Sequence, residues 1–404
     1  MSEFKNLPSG WKVMRLGEIS SRVTRRNQDN RCQNVLTISA QSGLINQTDF
    51  FNKQVASKDL SNYILLKKGE FAYNKSYSTG YSFGAFKRLK FYEEGVASPL
   101  YIYFKFNDDV CSDFFEFYFD AGQANRQIKD IVQEGARNHG LLNLSIDDFF
   151  NIKIRMPNLD EQKKIAEILS TWDEAINLTI NLIESKKQFK KALMQNLLTA
   201  KIRFPEFKNE WKETKLKDIC VKMRSGGTPK STNKKFYNGN IPFVKINDMT
   251  LGGKYIYDTQ VKITEEGLEN SSAWLVPKNS LIYSMYASFG FVSINKIEVA
   301  TSQAMMCIVP NLSKVALEYL YYFLDDFQKD VRSFVETGTQ GNLNAEIVKN
   351  FKIKFPNLKE QQKIAEVLMA CDDEINLLNL KLENLKKQKQ GLMQKLLSGK
   401  VVIW

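Results

Sequence analysis

The sequence predicts an α+β protein in which two tandem globular domains are joined by two long helices that form an antiparallel coiled coil. Three observations lead to this fold class. The segment at residues 157–201 recurs at residues 356–400 without a gap, and about half of its positions are identical. Both copies have a helical hydrophobic repeat, whereas the residues before each copy contain short apolar runs typical of strands. The duplication predicts a pseudo-twofold internal repeat.

The repeated segment begins with Pro-Asn-Leu and continues for roughly forty residues without another proline, as a long helix requires. In the second copy apolar residues alternate in steps of four and three, and only Lys389 interrupts this a/d heptad seam. The first copy keeps the same register, but Thr179, Lys186 and Lys190 interrupt its seam. At 1.5 Å per residue each helix is expected to be ~60 Å long.

A helix of this length with a narrow apolar stripe needs a partner helix, and the other copy is the nearest candidate. We expect antiparallel pairing because the intervening domain can connect the end of the first helix to the start of the second. The alternative is that the two helices pack separately, each on its own domain.

The duplication extends into the globular parts. Trp11-Lys12 and the LGEI sequence at 16–19 recur as Trp211-Lys212 and LKDI at 216–219, and NIKIR at 151–155 recurs as NFKIK at 350–354. We therefore expect a globular domain at 1–156, a helix at 157–203, a second globular domain at 204–355 and a second helix at 356–404. The globular parts differ far more than the helices, which predicts a shared frame with two different recognition surfaces.

Within the globular parts, short runs rich in aromatic and β-branched residues indicate strands, and Gly, Asn, Asp and Ser separate them. Such runs lie at residues 34–40, 65–73, 101–106, 241–246, 281–286 and 304–309. Helices are expected at 112–134 and 315–336. Each globular part is predicted to have a curved sheet with helices on one side.

Lys and Arg number 57 and Asp and Glu 45, which gives a net charge of +12. An excess of this size favours a polyanionic partner over a small neutral ligand, although a generally lysine-rich proteome would produce it too. The 5 cysteines are scattered and form no CxxC, so we expect reduced thiols in the cytoplasm and neither disulfides nor a zinc site. No signal region or membrane span is expected.

Several motifs resemble the specificity subunits of type I restriction-modification systems. They are SGGTPK at 225–230, YNGNIPFVK at 237–245, SSAWLVPKNSLIYS at 271–284, GTQGNL at 338–343 and the PNLxEQxxIAExL start of both helices. The first half matches through LLKKGEFAYNK at 65–75 and its PNLDEQ helix, but its counterpart of SGGTPK is unrecognisable. The resemblance covers essentially the whole chain.

The resemblance implies that each globular domain is a target-recognition domain for one half of a bipartite, asymmetric site in double-stranded DNA. The helices would set the half-site spacing and dock two methyltransferase subunits, and restriction subunits with motor and nuclease activity are an open addition. No cofactor is expected in this chain. S-adenosylmethionine would belong to the methyltransferase subunits, and ATP and Mg²⁺ to the motor-nuclease subunits.

Candidate DNA-binding residues lie in loops, where Lys and Arg can neutralise phosphates and polar side chains can reach base edges. In the first domain they are Asn74, Lys75, Tyr77, Tyr81, Arg137, Asn138 and His139. In the second domain they are Thr228, Lys230, Lys234, Lys235, Tyr237, Lys245, Asn247, Ser284, Tyr286, Gln340 and Asn342. The alternative for each one is a solvated loop residue.

Apolar helix positions outside the seam are candidate partner-docking sites: Ile168, Ile180, Leu377 and Leu380. The alternative is that these side chains pack against the chain's own domains.

Catalytic signatures are missing from the sequence. His139 is the only histidine, which excludes an HExxH zinc site, and no GxxxxGK[ST] loop or Pro-Pro-aromatic methyltransferase motif occurs. The acidic pairs at 147–148, 325–326 and 372–373 are interpreted as solvated or as compensating helix dipoles. We therefore expect a non-catalytic subunit. The alternatives are a coiled-coil protein-interaction scaffold that does not recognise DNA sequence and a nuclease with a divergent active site.

Overall fold

The computed structural model describes residues 7–39, 43–51, 57, 59–77, 80–132, 142–286, 289–336 and 343–403. The chain divides into two compact units, Met1–Ile180 with Leu380–Trp404, and Asn181–Asn379. The long helices α6 (Leu159–Leu198) and α11 (Leu358–Leu396) each contribute one end to each unit. None of the described helices has both the length and the apolarity needed to cross a membrane.

The described strands of the first unit, β1 to β10, are short. They lie at Lys12–Arg15, Ser20–Arg22, Leu36–Ser39, Gly43–Asn46, Ile64–Lys67, Phe71–Asn74, Ala85–Arg88, Glu94–Ala97, Ile102–Phe106 and Lys153–Met156. Strands β2, β9, β6 and β7 form a sheet in that order, while β1 pairs with β10, β3 with β4 and β5 with β8. The described strands thus form several small sheets, where a single curved sheet was expected.

Residues 65–73 show why the expected single strand is divided. They form the end of β5 and the start of β6, which belong to different sheets. Between them Gly69 has a φ of 89°, a left-handed conformation that glycine adopts without strain. The buried carboxylate of Glu70 accepts a hydrogen bond from the Lys67 N–H at 2.8 Å and pairs with Arg25 at 3.0 Å. A glycine turn braced by the buried carboxylate of Glu70 therefore redirects the chain.

The shorter helices of the first unit, α1 to α5, lie at Leu16–Ile19, Gln47–Phe51, Ser112–Asp120, Asn125–Ile131 and Ile146–Phe150. Helices α3 and α4 replace the single helix expected over 112–134, because Gly122 between them has a φ of 69°. Helix α3 buries a row of aromatic side chains in the core of the unit. One of them, Phe119, stacks on Phe86 of β7 with 3.9 Å between ring centroids.

The described strands of the second unit, β11 to β20, lie at Lys212–Lys215, Cys220–Ser225, Tyr237–Val244, Tyr255–Ile256, Val261–Ile263, Leu281–Ser284, Val292–Asn295, Ala300–Thr301, Met305–Pro310 and Lys352–Phe355. One sheet has the order β12-β19-β16-β17-β14 and another the order β15-β13-β18. Strand β11 pairs with β20 just as β1 pairs with β10, and both pairs are antiparallel over four residues. This repeated pairing confirms the internal repeat.

Helices α7 to α10 of the second unit lie at Ile246–Gly252, Glu265–Glu269, Leu317–Glu336 and Ala345–Lys349. Helix α9, expected over 315–336, buries Tyr319, Leu320 and Tyr322 in the core of the unit. Mixed helix and sheet content in both units confirms the α+β class.

The PNLxEQ motif starts both long helices in the same way. The side-chain oxygens of Asn158 and Asn357 accept hydrogen bonds from the third following N–H groups, at 2.9 and 3.1 Å, and so cap the helices. The buried Gln162 accepts a hydrogen bond from the Cys111 N–H just before α3, at 2.9 Å. Its side-chain amide also donates to Pro157 O at 2.9 Å. The motif therefore ties the start of α6 to the globular part of its unit.

The two long helices run antiparallel within each unit, which confirms the expected coiled-coil pairing. In the first unit, residues near the start of α6, including Ile165 and Leu169, share a core with Leu396 near the end of α11. In the second unit, Leu197 near the end of α6 shares a core with Ile364 near the start of α11. Start therefore packs against end in both units.

Polar residues that interrupt the seam have partners. Thr179 is buried and its hydroxyl donates to the Ala175 carbonyl at 2.7 Å. Lys186 pairs with Glu374 at 2.7 Å across the two helices. Asp372, expected to be solvated or to compensate a dipole, is an ion-pair partner of Lys190, because it faces the seam lysine of the opposite helix.

Candidate nucleic-acid interface

The SGGTPK loop of the second unit follows strand β12 and needs its glycines for close packing. The N–H groups of Gly226 and Gly227 donate to the carbonyls of Met305 and Thr301, each at 3.0 Å. A Cβ on Gly226 would lie 2.1 Å from Thr301 Oγ1, and one on Gly227 would lie 2.2 Å from Ser272 Oγ. The glycines therefore let the loop lie against the neighbouring chain, which leaves the next residue, Thr228, exposed.

A lysine-rich turn follows this loop. Asn233 closes it, because its N–H donates to Lys230 O at 3.0 Å and its side-chain oxygen accepts from Lys235 N–H at 3.1 Å. Tyr237 anchors the far end through a hydrogen bond from its hydroxyl to Pro229 O at 2.7 Å. Lys230, Lys234 and Lys235 are exposed, and no carboxylate in the described part of the chain pairs with them. These unpaired ammonium groups create a positive surface.

Lys245 and Asn247 lie at the start of α7 and are exposed. Their positions depend on the buried carboxylate of Asp248, which accepts hydrogen bonds from Lys245 N–H at 2.7 Å and Gln260 N–H at 2.9 Å. The backbone at this helix start is therefore held in place, while both candidate side chains are exposed.

Ser284 and Tyr286 differ in accessibility. Ser284 is 1% exposed, and its hydroxyl donates to the carbonyl of Tyr286 at 3.0 Å. Tyr286 is 44% exposed. Ser284 thus holds the turn at the end of β16, and Tyr286 is the side chain of the two that reaches the surface.

In the first unit, the loop after β6 carries Asn74, Lys75 and Tyr77. The side-chain oxygen of Asn74 accepts from Ser76 N–H at 2.9 Å, which forms a local turn. Asn74 and Lys75 are half-buried, whereas Tyr77 is 63% exposed. Tyr81 is partly buried with the ammonium of Lys87 5.1 Å from its ring centroid.

Five of the candidate residues lie outside the described residues: Arg137, Asn138, His139, Gln340 and Asn342. The described chain resumes in the first unit at Leu142, whose N–H donates to Lys75 O at 2.8 Å. The described chain from Leu142 therefore begins directly beside the loop that contains Lys75.

The candidate docking residues also divide by exposure. Ile168 is partly buried against the core of the first unit, while Ile180, Leu377 and Leu380 are 38%, 66% and 62% exposed. The sequence interpretation did not name three further exposed apolar residues of α6: Leu178, Leu182 and Phe189. Their signal was present, because they are apolar and fall outside the heptad seam.

A cleft of about 1010 Å³ in the second unit lies among α7, the following loop, α9 and the two long helices. Lys254 points into a group of tyrosines there, with its Nζ 4.3 Å from the ring centroid of Tyr322. Burial lowers the pKa of Lys254, and the nearby carboxylate of Asp372 opposes that change. No group of three or more His, Cys, Asp or Glu among the described residues could hold a metal ion.

Family comparison gives two matches along the chain. The model of the type I restriction modification DNA specificity domain matches residues 8–185 and again residues 208–387. Each match covers one globular part and most of the long helix that follows it. The two copies found in the sequence are therefore two copies of one known domain.

Individual relatives agree with the family model. The specificity subunit of the type I restriction enzyme MjaVIII from Methanocaldococcus jannaschii is 24% identical over 328 residues, which cover 76% of this chain and 75% of that protein. The HsdS subunit from Thermoanaerobacter tengcongensis has a TM-score of 0.57 at 17% identity, with 99% and 100% of the chains covered. A chain solved in work on the assembly and conformational transition of a type I restriction-modification system has a TM-score of 0.65 at 17% identity, with 98% and 100% covered.

Proposed function

The chain belongs to the family of type I restriction-modification DNA specificity domains, and from that premise we propose that its two globular parts recognise the two halves of a bipartite, asymmetric DNA target. The observation that carries this proposal is the double family match, since each match combines a globular part with a helix. Two diverged copies of one DNA specificity domain provide two different recognition surfaces.

Exposed cations support binding to DNA. Lys230, Lys234 and Lys235 form a surface without carboxylate partners in the described part of the second unit. Such groups neutralise phosphates and release counterions, which gives affinity without sequence preference. Sequence preference would come from polar side chains beside them, among them Thr228 and Asn247, through hydrogen bonds to base edges in the major groove.

The long helices would set the distance between the half-sites. Helices α6 and α11 are 40 and 39 residues long, and each continues without interruption from one unit into the other. A paired helix resists bending and twisting, so it fixes both the separation and the rotational phase of two DNA-contacting modules. A fixed spacer between the half-sites is the expected consequence.

The exposed apolar residues of the long helices would dock two methyltransferase subunits. Leu178 and Leu380 of the first unit and Phe189 and Leu377 of the second unit are each more than half exposed, so these apolar side chains are available to pack against a partner. In this proposal the chain is non-catalytic, with S-adenosylmethionine held by the methyltransferase subunits. ATP and Mg²⁺ would belong to restriction subunits where these are present.

The test is to express the chain with a methyltransferase subunit of the same restriction-modification system and to map methylated adenines in the host DNA by single-molecule sequencing. One motif with two short half-sites around a fixed spacer is expected, and a strain that expresses the methyltransferase alone is the control. Methylation at a continuous motif would reject the helical spacer. Failure of the two proteins to associate, with no methylation, would favour a protein-interaction scaffold.

A further inference from the structure

An ion pair and an aromatic ring meet at one point of the helix pair in the first unit. The Nζ of Lys389 on α11 lies 2.6 Å from Asp173 Oδ1 on α6. The same ammonium lies 5.0 Å from the ring centroid of Phe117 on α3. These three residues, which we call the first joint, connect both long helices with the globular part of the unit.

The second unit has the same arrangement with the helices exchanged. The Nζ of Lys190 on α6 lies 2.5 Å from Asp372 Oδ1 on α11 and 5.2 Å from the ring centroid of Tyr322 on α9. The Tyr322 hydroxyl also donates a hydrogen bond to Asp372. Lys254 donates to the Tyr322 hydroxyl at 2.7 Å. We call Lys190, Asp372 and Tyr322 the second joint.

The two joints occupy equivalent positions of the duplication. In the gapless alignment of the helical copies, Asp173 corresponds to Asp372 and Lys190 to Lys389. Phe117 lies six residues after Cys111 in the sequence, and Tyr322 lies six residues after Ala316. The N–H groups of Cys111 and Ala316 donate to the equivalent glutamines of the two PNLxEQ motifs. The aromatic positions therefore correspond as well.

Only one helix register satisfies both joints. A shift by one heptad would place Leu382 or Leu396 opposite Asp173. The same shift would place Ala365 or Asn379 opposite Lys190. Each alternative leaves half-buried charges without partners, and polar positions in a coiled-coil seam select register by this cost.

A third seam ion pair lacks these properties. Lys186 pairs with Glu374 at 2.7 Å, but the equivalent positions in the other unit are Leu385 and Ala175. No aromatic ring of the described globular part is paired with Lys186. It is therefore a matched control: the same residue type on the same helix face, without the connection to a globular part.

We propose that the two joints determine how strictly the chain discriminates the spacer length between its half-sites. They fix the register of α6 and α11 and hold the adjoining helix, α3 or α9, at one position along that pair. This inference rests on the proposed function, because it assigns residues to the helical spacer. One added base pair moves a half-site by ~3.4 Å and rotates it by ~35°, so a loosened joint would accept it.

The test compares the full chain, in complex with its methyltransferase, with the Lys190→Met/Lys389→Met variant and the Lys186→Met control. The DNA probes carry the mapped half-sites with the native spacer or with one base pair added or removed. For the wild type and Lys186→Met we expect the altered spacers to weaken binding about tenfold or more, and for the double variant less than about threefold. Affinity for the native spacer is expected to stay within about twofold, because methionine retains the apolar packing of the seam.

Each result decides between the proposals. A wild-type chain that binds all spacers equally would reject the helical spacer itself. If the wild type and the double variant discriminate equally between native and altered spacers, the proposed role of the joints is rejected and the helical spacer is retained. Equal loosening in Lys186→Met would show that any seam charge suffices, which also rejects them. Circular dichroism of each variant verifies that the helices are retained.

Discussion

The side-chain oxygen of Gln361 accepts a hydrogen bond from the N–H of Ala316 at 2.9 Å, with the glutamine fully buried. Its amide donates to Pro356 O at 2.9 Å and Lys314 O at 3.2 Å. One side chain thus satisfies backbone groups at the start of α9 and at the start of α11. The globular part and long helix of the second unit share this polar contact.

Replacing Gln361 with alanine should destabilise the second unit by ~1–3 kcal/mol, because buried backbone groups would lose their partners. The urea concentration at half-unfolding of the full chain measures this loss. Lys359→Ala, a nearby exposed position on the same helix, is the control and should leave the midpoint unchanged. Equal midpoints for the two variants would mean that the glutamine contacts contribute nothing.

Gly226→Ala should cost ~1–3 kcal/mol, because the added methyl would lie 2.1 Å from Thr301 Oγ1 and 2.3 Å from Thr301 O. Gly252→Ala is the matched control, since no atom lies within 4 Å of its added Cβ. That substitution should be neutral or stabilise by up to ~1 kcal/mol, because alanine restricts the unfolded chain. Thermal denaturation compares them, and a neutral Gly226→Ala would contradict the close packing of the loop.

Reversing charge at Lys230 and Lys234 should weaken binding to every DNA sequence. The slope of log affinity against log salt concentration should fall in magnitude by about 2, one for each lost phosphate contact. Fluorescence anisotropy with specific and unrelated duplexes measures both effects. Lys352→Glu/Lys354→Glu on β20 makes the same change in charge at exposed positions outside the candidate loops. An unchanged slope in the loop variant would remove these lysines from the interface.

Asp325→Asn should raise stability at neutral pH. Burial raises the pKa of Asp325 above the ordinary value of an aspartate. The carboxylates of Asp372 and Asp326 add to this rise, and the ammonium groups of Lys190 and Lys254 oppose it. A raised folded-state pKa stabilises the protein below the unfolded value and loses that contribution as pH rises through the folded value. Asparagine keeps the neutral form at every pH, so its advantage should be present at pH 7 and shrink towards pH 4.

Thermal unfolding midpoints across that pH range test this expectation. Asp326→Asn is the control, because Asp326 pairs with Lys329 at 2.9 Å and its removal should bring no gain at pH 7. A lower midpoint for Asp325→Asn at pH 7 would show that its interactions with the two lysines outweigh the cost of burial.

The sequence predicted the elements in which the hydrophobic repeat continues over many turns. A seam repeated over ten positions predicted that α6 and α11 exist, and their presence in one chain favoured each as the partner of the other, because an intramolecular pair costs less entropy. It did not predict where strands and short helices break. Gly69 and Gly122 adopt left-handed conformations, and a glycine alone does not indicate whether its φ is positive.

The candidate interface was less predictable. The lysines of residues 230–235 are exposed, as expected. Ser284 is buried, because the turn that follows it brings the carbonyl of Tyr286 onto its hydroxyl. The need for glycine in SGGTPK arises from close contacts with Thr301 and Ser272, which are distant in sequence. Contacts of this kind determine which loop side chains reach solvent, and they cannot be predicted from the local composition.

The exchange of helices between the two joints limits which substitutions the helical copies tolerate. Each joint takes its aspartate from one copy of the duplication and its lysine from the other. A substitution at Asp173 is therefore compensated only at Lys389, which lies in the other half of the gene. A change in one helical copy at these positions therefore requires a matching change in the other copy. The two joints are thus conserved between the copies only as pairs, whereas the Lys186–Glu374 pair has no counterpart and its equivalent positions, Leu385 and Ala175, have diverged.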